Sequence, residues 1–251
     1  MENNNKEYGE VAMKSPFLEK LDNFWYYYKW HTIVAIFVIV AVLVSSLQMC
    51  SRKTTDIHVI YAGERNIVRT SVDGDIPMYN KLVSALSERA DDYNGDGEKI
   101  LTFTTYTFLS DLDRTEIAKN PELSINEKLL EDDANMFHQN FALGTGGEFY
   151  VLLCSPYVYE EYKEVSEVEI FMPVSSYLDE SYGEYELYSD SAIKLSSLSV
   201  WKNSATLRNS LPEDTLVTIR IKSYISGVFG KDATDERYRI AEEYFKSFIK
   251  G

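Results

Sequence analysis

Asp92, Asn94, Asp96 and Glu98 alternate along the segment DDYNGDGEK, with Gly97 at its turn. Calcium takes roughly six to eight oxygens, and alternate side chains plus one backbone carbonyl, here that of Glu98, supply them from a tight loop. Asp92, Asn94 and Asp96 match the first, third and fifth positions of such a loop, and Gly97 matches its sharp-turn position. Phe103 stands where a closing bidentate Glu belongs, and a strand follows where a helix would be expected, so a further ligand such as Asp111 or Asp113 is required. The alternative is a solvated Asn-Gly/Asp-Gly turn joining a helix to a strand. Calcium is the cofactor this sequence suggests.

A second segment, YLDESYGEYELYSD at 177–190, sets four Tyr among five acids. Rings and carboxylates together hold a sugar, a cation or a protein partner, since Tyr is favoured in interfaces. The plainer reading is a surface excursion whose rings pack on the domain with their hydroxyls in water. Signals for catalysis are weak. His31, His58 and His138 have no second His or Cys at zinc spacing. There is no G-x-S-x-G elbow. Glu160 and Glu161 are adjacent and diverge, so they do not form a glycosidase pair. GTGG at 144–147 precedes a strand and reads as a helix stop, not a phosphate cradle. A binding or interaction module is favoured over an enzyme acting on cell-envelope or extracellular carbohydrate, or a subunit of an envelope assembly or sensor.

The elements that position these residues begin with a membrane segment. No charged residue occurs from Thr32 to Met49. Eighteen helical residues rise about 27 Å, close to the hydrocarbon thickness of a bilayer. A helix satisfies its own backbone groups in lipid. Trp25, Tyr26, Tyr27, Tyr28 and Trp30 precede the run and form an interfacial aromatic belt, with Lys29 reaching toward headgroup phosphates. A cleaved signal peptide is disfavoured by the long leader with its five acids and by the length of the apolar run. Processing as a lipoprotein at Cys50 is disfavoured because Leu47-Gln48-Met49 lacks the small residue required. The organisation expected is a cytoplasmic tail at 1–31, a transmembrane helix at 32–49, a tether at 50–55 and an extracytoplasmic domain at 56–251. Lys6, Lys14, Lys20 and Lys29 before the helix slightly outweigh Arg52, Lys53 and Arg65 after it, which places the N-terminus inside.

The chain has 25 basic and 40 acidic residues, and excluding the leader leaves 21 against 35. Such an acidic surface repels nucleic acid and anionic headgroups. Two cysteines are too few for a disulfide framework and fit a bacterial exported protein.

DIHVIYA at 56–62 reads as a strand buried on both faces. Asp75 and Pro77 open a helix carrying Met78, Leu82, Ala85 and Leu86. KILTFTTYTFLS at 99–110 reads as a strand. Ser124 and Glu127 suggest a capping box for a helix with Leu129, Leu130, Phe137 and Phe141 that stops at Gly144. Strands are expected at 148–155, at 168–175 with Pro173 at an edge, and at 216–223. The last helix buries Tyr238, Ala241, Phe245, Phe248 and Ile249. This order predicts an α/β domain, three-layer in style, with a mixed and mostly parallel sheet. GTGGEFYVLLCSPYVYEEY and SLPEDTLVTIRI resemble a reduced lobe of a type-2 extracytoplasmic solute-binding protein, which implies solute binding outside the cytoplasm. NFWYYYKWH with its apolar run resembles single-pass proteins of bacteria with one membrane.

Overall fold

The structure, a computed structural model, describes residues 16–50, 54–65, 77–120, 124–144, 149–165, 168–178, 182, 184–222 and 230–250. The chain divides into two units, Met1–Arg52 and Lys53–Gly251.

Among the described residues the first unit holds one helix, α1 (Pro16–Cys50). It runs unbroken through the aromatic run and the apolar segment, where the sequence suggested a belt ahead of a helix at 32–49. Successive residues step around a helix, so the rings of Trp25 to Trp30 radiate about its axis. Phe24 stacks on Tyr28, with ring centroids 5.3 Å apart. Within α1, Phe24–Ser46 is long and apolar enough to cross a membrane, and none of it is buried by protein. This is compatible with a membrane anchor.

The second unit is α/β. Its elements in chain order are β1 (Ile57–Gly63), α2 (Pro77–Ser87), β2 (Leu101–Thr107), α3 (Asp111–Ala118), α4 (Glu127–Phe137) ending in a π-helical turn (His138–Ala142), β3 (Val151–Cys154), α5 (Pro156–Tyr162), β4 (Glu164–Val165), β5 (Val168–Glu169), β6 (Leu187–Ser189), β7 (Ala192–Lys194), α6 (Ser199–Asn203), α7 (Ala205–Ser210), β8 (Leu216–Ile219) and α8 (Lys231–Lys250). Six strands form one mixed sheet in the order β2-β1-β3-β8-β7-β6. The core strand β1 is parallel to both neighbours, with Val59 opposite Phe103 on one side and Val151 on the other. From β3 outward the pairs β3–β8, β8–β7 and β7–β6 are antiparallel.

The period-two alternation of strand side chains divides the core into two layers. Val59, Tyr61, Phe103, Val151, Leu153 and Val217 face one way, toward Leu82 and Leu86 of α2, Trp201 of α6, Leu207 of α7 and Phe245 and Phe248 of α8. Ile60, Ala62, Leu152, Cys154 and Leu216 face the other way, toward Phe137 and Phe141 around the π turn and Val158 and Tyr162 of α5. The sheet is thus sandwiched between helices.

The outer edge of β2 carries side-chain caps. Even-numbered residues of β2 turn their backbone groups toward β1, so odd-numbered residues face away. Tyr79 donates its hydroxyl to the Phe103 carbonyl at 2.9 Å. Asp133 accepts the Thr107 amide at 2.8 Å.

Three local expectations are corrected. Ser124 does not cap α4; Asn126, adjacent to the first helical residue, accepts from the Leu129 amide at 3.2 Å, while Glu127 pairs with Arg114 at 2.7 Å. The capping box lies at Ser110 and Asp113 and starts α3, with Ser110 the last residue of the segment 99–110 read as strand. Only the first two of residues 168–175 form a strand, and it lies outside the main sheet: Val168–Glu169 pairs with β4 in a two-stranded sheet, Phe171 makes an isolated bridge to Arg220, and Pro173 precedes a 3-10 turn at Val174–Ser176. Asp75, the expected cap of α2, lies outside the described residues.

Candidate functional site

A groove of about 830 Å³ lies at the β6 edge of the sheet, where part of the 177–190 segment meets residues from elsewhere in the chain. Tyr159 forms its floor. Ser155 accepts from the Val158 amide and Pro156 follows it, which starts α5 directly after β3 and carries Tyr159 under the sheet edge. Its ring stacks on Phe171 at 5.1 Å and meets Tyr188 edge-on at 5.7 Å. Its hydroxyl bonds Ser189 Oγ at 2.6 Å and Ser191 Oγ at 2.7 Å. Ser189 and Ser191 flank the β6–β7 turn, which is held when the Val174 amide donates to the Asp190 carbonyl at 2.7 Å and Thr218 Oγ1 to the Ser191 carbonyl at 2.7 Å.

Pro173, Val174, Leu178 and Leu187 give the groove its apolar wall, and Tyr185 adds a ring. Glu169, Glu184 and Asp190 add three exposed carboxylates. No Lys, Arg or His lines it among the described residues. Glu184, Tyr185, Leu187 and Asp190 of the tyrosine-and-acid segment therefore meet residues of α5 and β5 in one concave surface, while its Asp179 and Glu180 lie outside the described residues. Tyr177 itself faces Phe245 in the core.

The acidic loop at 92–98 lies elsewhere, before β2. Asp92 Oδ1 accepts from the amides of Gly95 (2.7 Å) and Asp96 (3.1 Å), and Oδ2 from Gly97 (2.8 Å). Asn94 Oδ1 accepts from Asp96, and Asp96 Oδ1 from Glu98. Gly95 and Gly97 take φ of 73° and 86°, which suits glycine. Asp56, buried at the start of β1, accepts from Tyr93 and Asn94 on Oδ1 and from Ile100 on Oδ2. Asp111 and Asp113 lie beyond the opposite end of β2 and do not join the loop. Among the described residues no group of three or more His, Cys, Asp or Glu could hold a metal ion. His31 is on α1, His58 packs edge-on to Phe149 and His138 opens the π turn, so the three do not converge.

At the carboxyl end of β1 sits a half-buried acid that no motif announces. Desolvation holds the Glu64 carboxyl above its ordinary range, and the charges of Asp214 and Asp113 push it the same way. The helices that follow β1 and β3, α2 and α5, pack on opposite faces of the sheet, a position where open α/β sheets place ligands. Cys154, by contrast, is fully buried, and burial alone pushes its thiol up, so it is an inert core residue.

Sequence reasoning missed Tyr159, Ser189, Ser191, Asp56 and Glu64. Each acts across the fold; Tyr159 and Ser191 are separated by 32 residues. Trp25, Tyr26, Tyr27, Tyr28, Lys29 and Trp30 all lie on α1 with exposed side chains. No protein-family model, curated protein or solved structure matches the chain.

Proposed function

We propose that the chain is a membrane-anchored binding module, with α1 across the bilayer, the N-terminus in the cytoplasm and the α/β domain outside, where the β6-edge groove receives its ligand. One observation carries this reading: a preformed concave surface whose floor, Tyr159, is fixed by two hydroxyl bonds and two ring contacts. Ligand sites are commonly such preformed clefts, apolar with a few convergent polar groups. The resemblance to a solute-binding lobe supports the same reading, and the acidic domain disfavours nucleic acid as partner. Protease added to intact cells should remove the α/β domain and leave an α1-sized fragment in the membrane. Survival of the full chain while exposed control proteins are cut would overturn the topology.

Glu64, a half-buried acid at the end of β1 whose pKa burial raises, favours a second reading, an enzyme acting on envelope carbohydrate with this carboxyl as its acid. Turnover of a cell-wall or exopolysaccharide substrate that Glu64→Gln abolishes would select it over pure binding.

A further inference from the structure

The groove's hydrogen-bonding inventory narrows its ligand. Tyr159, Ser189 and Ser191 carry one hydroxyl hydrogen each. The two contacts among them consume two of these, and Ser189 Oγ also accepts the Ser191 amide at 3.3 Å. The third hydrogen has no acceptor among the described residues. Around this donor, Glu169, Glu184 and Asp190 offer only acceptors, and none of the three forms an ion pair among the described residues.

A ligand matched to this surface accepts at the floor, donates at the rim and presents an apolar face to Val174, Leu178, Leu187 and Tyr185. An anion satisfies the floor but meets three carboxylates. An ammonium satisfies the carboxylates but cannot accept from the floor. Sugar hydroxyls both accept and donate, and the C–H face of a pyranose packs against aliphatic wall and ring. A cavity of about 830 Å³ is also within the range that encloses a small organic ligand.

We propose that the β6-edge groove binds a neutral oligosaccharide, its hydroxyls accepting from the Tyr159–Ser189–Ser191 cluster and donating to Glu169, Glu184 and Asp190. This assignment rests on the binding-module reading and gives it a chemical class.

The full chain, purified in a sugar-free detergent, is screened on an array of neutral gluco-, xylo-, manno- and chito-oligosaccharides, and hits are titrated by calorimetry, with spermidine as a cationic probe. Binding of at least one neutral oligosaccharide is expected. Tyr159→Phe keeps the ring stack, removes the hydroxyl and should weaken binding about tenfold or more. Glu169→Gln, at an exposed position where folding is not at risk, should weaken it severalfold. Spermidine binding that Glu169→Gln abolishes, with no oligosaccharide bound, overturns the sugar assignment and leaves the binding module standing. Oligosaccharide affinity unchanged in both variants overturns it too, because the site is then elsewhere. Absence of binding by every probe overturns both readings.

Discussion

Gly144 lies directly against the guanidinium of Arg220: a β-carbon placed on Gly144 would fall 2.6 Å from Nη2 and 2.7 Å from Cζ. Arg220 is only 4% exposed, and it donates to the carbonyls of Ala142 at 3.2 Å and Ile221 at 3.1 Å. It stands at the C-terminal end of the π turn, where a cation meets the negative end of the helix dipole. Burial pushes the guanidinium below its ordinary pKa, yet it stays charged because arginine does not release its proton in proteins. Gly144 also takes a φ of 69°. Gly144→Ala combines a left-handed alanine with a collision against a pinned side chain, and should cost about 2 kcal/mol or more. In an Arg220→Met background that cost should fall by at least half, leaving the backbone part. Urea unfolding of the four proteins measures this coupling, and additive costs would show that the two residues do not act on each other.

Asp56 ties the first strand to the loop before the second through three amides. Asp56→Ala leaves the N–H groups of Tyr93, Asn94 and Ile100 without their acceptor and should cost about 3 kcal/mol. Asp56→Asn, which retains one acceptor oxygen, should lose less. Hydrogen exchange at the amides of Tyr93 and Ile100 should rise in both variants before global unfolding does.

The loop from Asp92 to Glu98 turns its carboxylates onto its own amides, which accounts for its residue pattern as a turn. Asp92→Ala should lower stability by about 1–2 kcal/mol, equally with calcium and with chelator. A melting temperature that rises with added calcium, and loses that response in Asp96→Ala, would instead make the loop a calcium site.

Glu64 gives stability a pH dependence of defined sign. Its folded-state pKa is raised from 4.5, so the folded chain holds this proton more tightly than the unfolded chain does. Its contribution is therefore most favourable below 4.5 and declines as pH rises through the raised value. Glu64→Gln should match the parent protein in acid and exceed it in stability at neutral pH. Paired thermal melts on either side of this window test it; a variant less stable at neutral pH would mean that the ionised carboxylate is held by a favourable partner.

The helices that were legible in sequence owe this to spacing. Leu82 and Leu86, Phe137 and Phe141, and Tyr238, Ala241, Phe245, Phe248 and Ile249 repeat every three to four residues, and all are buried. In the parallel core, β1 and β3 were legible as apolar runs and β2 by its Thr, Phe and Tyr. By contrast, β6 and β7 have three residues each, too few for alternation to register, and α6 and α7 are barely longer than a turn. The Ser124–Glu127 pattern misled because Asn126 offers a side-chain oxygen closer to the helix start. The rim of the groove was legible in the rings and acids of 177–190, but its floor was not, because nothing in the sequence joins Tyr159 to that segment. Only the fold reveals that its hydroxyl meets two serines some thirty residues onward.

The hydroxyl of Tyr79 on Phe103 and the carboxylate of Asp133 on Thr107 have a consequence for chains crowded side by side. An uncovered border strand of seven residues is a template on which another polypeptide can crystallise its backbone, one rung after another. Here the Phe103 carbonyl and the Thr107 amide are already occupied by fixed side chains, so a recruited strand that spans both would have to displace two intramolecular bonds. The two bonds thereby shorten the stretch of border that lies open to a further strand.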